Sequence, residues 1–156
     1  MLSENLINKI KTIIENTVNR FNDLHSELPK IYEKYKLFPP NITNISSDLS
    51  HQIEKSIVQD IKDAAVGKGF EDILFKNKLM LEIKVSSLQI PYFSIANTHK
   101  CYNKTYILVN HRNCILKNIF ILPYARDKYF YPPGKNSQSR RFNYTTYKHK
   151  VIKFKY

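Results

Sequence analysis

The chain has no tryptophan, only three glycines and two cysteines among its 156 residues, and each shortage removes a class of explanation. Three glycines cannot supply a collagen-like repeat or a glycine-rich linker. Cys101 and Cys114 make no Cys-x-x-Cys pair and have no histidine at a zinc-binding spacing, so zinc is not expected and buried or free thiols are the simpler reading. No stretch approaches the ~20 apolar residues of a membrane span. With Glu4 and Lys9 among its first residues, the N-terminus lacks a signal-peptide core, and the expectation is a cytoplasmic protein with no membrane partner. In such a chain the Asn-x-Ser/Thr triplets at Asn41, Asn44, Asn103 and Asn143 are composition. No internal repeat is visible, and the length suits one domain with a modest core.

The sharpest shortage is of acid in the second half. Residues 1–82 carry 11 Lys or Arg against 12 Asp or Glu, whereas residues 83–156 carry 14 against 1, so the second half holds the whole net charge of +12. Abundant Lys, Asn, Ile, Tyr and Phe suggests an AT-rich genome, which discounts the lysines. Arginine escapes that bias, and four of the five arginines, Arg112, Arg126, Arg140 and Arg141, lie in the basic half. Arginine contacts phosphates and reads guanine edges. Fourteen of the twenty Phe and Tyr residues lie there too, although most read as core. A polyanion is the expected partner, and nucleic acid fits best.

At the boundary between the halves the chain reads Leu81-Glu82-Ile83-Lys84-Val85, ten residues after Asp72. On a β-strand, residues two apart share a face, so Glu82 and Lys84 stand together while Leu81, Ile83 and Val85 enter a core. Two carboxylates and an ammonium would then share one small site, which suits a hard divalent cation held against a phosphodiester. An ordinary exposed strand pair would read the same way. A second acid-x-Lys triplet, Asp60-Ile61-Lys62, sits beside an apolar stripe of Leu49, Ile53, Ile57 and Ile61 at helical spacing. Positions two apart on a helix diverge by roughly 200°, so Asp60 and Lys62 cannot converge on one ion.

Around these residues the pattern predicts a mixed α/β (α+β) domain. Leu2, Leu6, Ile10, Ile13, Ile14, Val18, Phe21 and Leu24 mark a long amphipathic helix. Pro29, Pro39-Pro40 and the Asn/Ser-rich run to Ser47 break the next segment into a short helix and a loop. Ser47 or Asp48 can cap a helix running to about Val66, ended by Gly67 and Gly69. Asp72–Phe75 and Leu79–Val85 form a hairpin across Lys76-Asn77-Lys78, which brings Asp72 back beside Glu82. Strands are expected at Thr105–Val109 and Ile119–Tyr124, and a loop at Tyr129–Phe142. The segment Tyr144–Tyr156 reads as an edge strand or an arm on DNA. This divides one domain into a helical part, 1–48, that could support dimerisation, a core, 49–125, and a basic arm, 126–156.

The order of helix, Glu71-Asp72, hairpin, Glu82-x-Lys84 and basic strand-rich half resembles the PD-(D/E)xK nuclease superfamily, particularly small type II restriction endonucleases. The resemblance covers roughly residues 49–124. It implies a restriction-endonuclease-like mixed central sheet flanked by helices and a bacterial, Mg²⁺-dependent enzyme. The reaction would hydrolyse double-stranded DNA at a specific sequence, give 5′-phosphate ends and be carried out by a homodimer. Asp72 and Glu82 would hold the metal with the Ile83 carbonyl, and Lys84 would be the catalytic lysine. Glu54 would match a helix acid found in several branches, or be a surface residue paired with Lys55 or Lys62. Where a proline often precedes the aspartate this chain has Glu71, so either Glu71 or Asp72 could be the ligand. Compact, blunt-cutting restriction enzymes carry base-reading histidines at this distance after the catalytic strand, so the resemblance implies base reading by Asn97, His99 and Lys100; a solvated turn is the alternative. Asn136, Ser139, Arg140 and Arg141 suit phosphate or base-edge contact, or form a surface loop. A structure- or mismatch-specific nuclease of the same fold and a non-enzymatic basic nucleic-acid-binding protein are the alternatives.

Overall fold

The computed structural model describes residues 2–38, 44–68, 71–88, 94–96, 104–132, 134–135 and 139–156. Two helices, α1 (Glu4–Lys34) and α2 (Ile45–Asp60), open the chain. They are followed by β1 (Ala64–Val66), β2 (Ile73–Phe75), β3 (Met80–Ser86), β4 (Ser94–Ala96), β5 (Thr105–Arg112) and β6 (Ile115–Leu122). The last part holds β7 (Ser139–Arg141), a short α3 (Tyr144–Tyr147) and β8 (Ile152–Lys155). Among the described residues the strands form a six-stranded sheet, ordered β1-β2-β3-β5-β6-β8, and a separate β4-β7 pair. All neighbours in the larger sheet are antiparallel except β3 and β5, which run parallel. The expected mixed sheet with a helical N-terminal part is thus present.

The two faces of the sheet are built differently, and alternation along each strand is the cause. Leu81 and Ile83 of β3, Ile107 and Val109 of β5, and Ile119 and Ile121 of β6 point to one face. There they meet Ile10, Ile14 and Val18 of α1 and Leu49, Ile53 and Ile57 of α2 in an almost wholly aliphatic core. The other face carries Tyr106, Leu108, Phe120 and Leu122, covered by Ile95, Ala125, Tyr129, Phe130 and Phe142. Both long helices therefore lie on the first face, and the segment from Ala125 onward folds back over the second.

Three helix boundaries differ from expectation, the first being the start of α2, where Asn44 is the N-cap residue and Ser47 and Asp48 lie inside the helix. α1 runs through Pro29 instead of breaking there. A lone proline removes one amide donor and leaves the rest of the ladder intact, and the ion pair of Lys30 with Glu27 at 2.7 Å spans the position. Of the segment expected to follow as a loop up to Ser47, residues 39–43 lie outside the described residues, and Ile45 to Ser47 already belong to α2. α2 ends at Asp60, not near Val66. Ile61 turns extended, and Ala64–Val66 pair with Ile73–Phe75 as a sheet edge, so strand pairing takes over residues whose local pattern reads helical. Gly67 consequently caps no helix. A Cβ at position 67 would overlap the Glu71 carbonyl, and the Gly67 amide donates to the Asp72 carbonyl at 2.9 Å. The residue closes a tight loop that returns the chain to β2.

The hairpins follow from their turns. Between β2 and β3, Lys78 adopts φ 64° and Asn77 Oδ1 accepts the Leu79 amide at 3.1 Å. Between β5 and β6, Asn113 and Cys114 both have positive φ, 49° and 63°, the backbone of a two-residue turn that matches the strand twist. Cys114 is a buried free thiol. Beyond β6, β8 pairs as an edge strand, one of the two readings offered for the C-terminal segment.

Candidate active site

Asp72, Glu82 and Lys84 are brought together at one end of the second face. Asp72 immediately precedes β2, and its backbone amide donates to the Leu81 carbonyl at 3.0 Å. Its side chain reaches further along β3, where Oδ2 accepts the Ile83 amide at 2.6 Å. The carboxylate thus stands in for a strand partner at the point where β2 has ended. In an antiparallel ladder the amide and carbonyl of one residue point to the same edge. The Ile83 carbonyl therefore also faces this gap.

Glu82 is held by two ammonium groups. Lys84 Nζ donates to Oε1 at 2.6 Å and Lys104 Nζ to Oε2 at 3.1 Å. The lysines differ in exposure: the Lys84 side chain is 40% exposed and that of Lys104 only 4%. Lys104 precedes β5, whose Thr105 lies beside Leu81, and this parallel pairing sets it over Glu82. Nothing in the sequence marks Lys104, because its only distinguishing feature is a strand partner more than twenty residues away.

Burial raises the Asp72 carboxyl above its ordinary range; the Ile83 amide opposes the rise, Glu82 adds to it, Lys84 opposes it and Glu54 adds a smaller contribution. Glu54 therefore acts on Asp72 through space. Its own carboxylate accepts from Ser50 Oγ at 3.1 Å and lies 3.5 Å from His51 Nδ1, so neither Lys55 nor Lys62 is its described partner. Of the two adjacent acids, Asp72 faces Glu82, while Glu71 turns back to accept the Lys68 amide at 3.3 Å.

A hard cation fits these donors. Asp72, Glu82 and the Ile83 carbonyl are all oxygen donors, and although burial is the main cause of the Asp72 rise, Glu82 and Glu54 lie close enough to add to it. Among the described residues no three acids, histidines or cysteines group closely enough to hold an ion by themselves. A cation here would complete its shell with water and a phosphate, as Mg²⁺ commonly does.

The residues proposed for DNA contact divide. Asn97, His99, Lys100 and Asn136 lie outside the described residues. Ser139, Arg140 and Arg141 form β7, which pairs with β4. Arg140 donates to Asp127 Oδ1 at 3.0 Å with its side chain only 13% exposed, so it ties the covering segment together. Arg141 is exposed.

One further pair invites a catalytic reading. Ser46 Oγ lies 2.9 Å from His111 Nε2. His111 Nδ1, however, accepts the Cys114 amide, which leaves the ring proton on Nε2, and burial lowers the His111 pKa. The imidazole then donates to Ser46 and cannot deprotonate it. The pair is a structural bond between the start of α2 and the β5 end.

No protein-family model and no curated protein sequence matches the chain. No helix among the described residues is long and apolar enough to cross a membrane.

Proposed function

We propose that the protein is a Mg²⁺-dependent endonuclease that hydrolyses phosphodiester bonds of double-stranded DNA and leaves 5′-phosphate ends. The observation that carries this reading is the convergence of Asp72, Glu82 and Lys84 on one end of one sheet face, at the threshold of the half that holds 14 cations and 1 acid. Asp72, Glu82 and Glu54 contribute three negative charges and Lys84 and Lys104 two positive ones. A divalent ion would take the balance from −1 to +1, which a single phosphodiester neutralises.

Asp72, Glu82 and the Ile83 carbonyl would hold the ion, which when bound supplies Lewis-acid polarisation of the scissile phosphate and offsets charge developing on its oxygens. Lys104 holds Glu82 in orientation from the buried side. Lys84, on the exposed side, is the lysine able to leave Glu82, orient the attacking water and neutralise a phosphate oxygen.

In its finer form the reading is a type II restriction endonuclease. A chain with one such site cuts one strand, so symmetric double-strand cleavage calls for a homodimer. Incubation with phage DNA and Mg²⁺ tests both levels. Discrete bands support sequence-specific cleavage, and cutting only of branched or mismatched DNA supports a structure-specific nuclease. Retention without cleavage removes the enzymatic reading.

A further inference from the structure

The second face of the sheet is organised in rungs. In register across the strands lie Glu82, Tyr106 and Leu122; then Lys84, Leu108, Phe120 and Lys153; then Ser86, Asn110, Asn118 and Lys155. The first rung ends in the acid site and the first two are apolar at their centres. The third is polar throughout. Beside it opens a cavity of about 450 Å³, lined by Ser87, Leu88, Asn110, His111, Arg112, Lys117 and Asn118.

This cavity is built. Asn110, only 2% exposed, donates from Nδ2 to the Leu88 carbonyl at 2.8 Å and the Ser86 carbonyl at 3.4 Å. The amide thereby fixes the chain leaving β3 as one wall. Both donor positions being used, its Oδ1 is the remaining group; it is shielded from solvent and has no hydrogen-bond partner among the described residues. The wall ends in Leu88, an exposed apolar side chain. Arg112 and Lys117, both exposed, have no acid among the lining residues and no ion-pair partner among the described ones.

We propose that the cavity receives one unpaired nucleotide of the bound DNA, its base against Leu88 and the amide of Asn118, its phosphates on Arg112 and Lys117, with Asn110 holding the wall from behind. The inference rests on DNA being the partner, as proposed above, and specifies the form of DNA preferred. Ligand cavities span roughly 300–1,000 Å³, so this one admits a nucleotide and excludes a duplex. Amide side chains read base edges, and apolar surfaces stack on bases. The third rung lies two residues beyond Lys84 along β3, about 7 Å by strand rise. A phosphate held at Lys84 therefore leaves its neighbouring nucleotide beside the cavity mouth. Removing a base from the stack costs a few kcal/mol, least where it is already unpaired. DNA carrying such a base is thus the expected ligand.

The test uses a short duplex with one bulged 2-aminopurine and the same duplex fully paired, with binding read by anisotropy in EDTA. The wild-type protein should bind the bulged duplex about tenfold more tightly, and the 2-aminopurine emission should change on binding. Arg112→Ala combined with Asn118→Ala should bring the preference to about one while affecting the paired duplex much less; Lys117→Ala, at an exposed position, serves as a second variant. Equal affinity of the wild type for both duplexes, or an equal loss on both in the variants, overturns the inference. Cleavage in Mg²⁺ is scored separately. Cutting without bulge preference sinks the cavity assignment alone, and bulge preference without cutting under any condition sinks the nuclease reading alone.

Discussion

Asp72 carries a carboxyl that burial and two neighbouring acids push upward in pKa. A folded pKa above the unfolded one means that its contribution to stability is complete below the unfolded value and is lost as pH rises through the folded one. At neutral pH the ionised form therefore works against the fold. Asp72→Asn keeps an acceptor for the Ile83 amide and removes the charge. It should abolish cleavage and yet raise the thermal midpoint at pH 7, with the gain shrinking as pH falls toward the acid range; an unchanged or lower midpoint at pH 7 would contradict the charge assignment. Added Mg²⁺ should raise the midpoint of the wild type but not of Asp72→Asn or Glu82→Gln, since ligands that prefer the folded state stabilise it. The two lysines are separated by a different pair of substitutions. Lys84→Ala should lose cleavage by at least about a hundredfold while retaining most DNA affinity, because it removes one of 14 cations in the basic half. Lys104→Met leaves Glu82 without its buried partner and should cost about 3–5 kcal/mol in chemical denaturation. Combining it with Glu82→Gln should recover much of that loss. If Lys104→Met unfolds no more easily than the wild type, the buried pair is not holding Glu82.

At the scale of elements, the loop between β1 and β2 places the site. Gly67→Ala would drive a methyl into the Glu71 carbonyl and shift Asp72 with it, costing about 1–3 kcal/mol and reducing cleavage more than DNA binding. Arg140→Ala should also destabilise, by roughly 1–3 kcal/mol as a charged hydrogen bond is lost, because Arg140 joins β7 to Asp127. The same elements show how far the chain could be read unaided. The hairpin of Ile73–Phe75 and Met80–Ser86 was legible because alternation and the Asn77-Lys78 turn agree, and it carries Asp72, Glu82 and Lys84 to one face. α2 was read too long, because Ala64–Val66 have no local preference strong enough to oppose the helical stripe and become a strand only by pairing with β2. Lys104 and the polar rung were invisible for a related reason. Both exist through the parallel register of β3 with β5, a pairing between segments whose connection leaves no periodic trace.

For the molecule as a whole, charge and surface apolarity are set apart. The outer half of α1 buries none of its side chains after Phe21 and exposes Leu24 and Ile31, the surface most available to a second copy. Sedimentation with and without DNA should report a dimer in at least one state; a monomer in both, together with double-strand cleavage in one binding event, would contradict the homodimer. DNA affinity should fall steeply with salt, and Arg141→Ala should lower the slope of log affinity against log salt by about 1 if it contacts a phosphate. The division of the sheet into an aliphatic face behind and a polar rung in front has a further effect, on evolvability. Every residue of the third rung lies past the Asp72 site along the strands and on the opposite side of the sheet from Ile107 and Ile119. A population of variants randomised at Ser86, Asn118 and Lys155 should therefore remain folded in large part while its ligand preferences drift, so new specificities can be sampled without first acquiring compensating mutations behind the sheet.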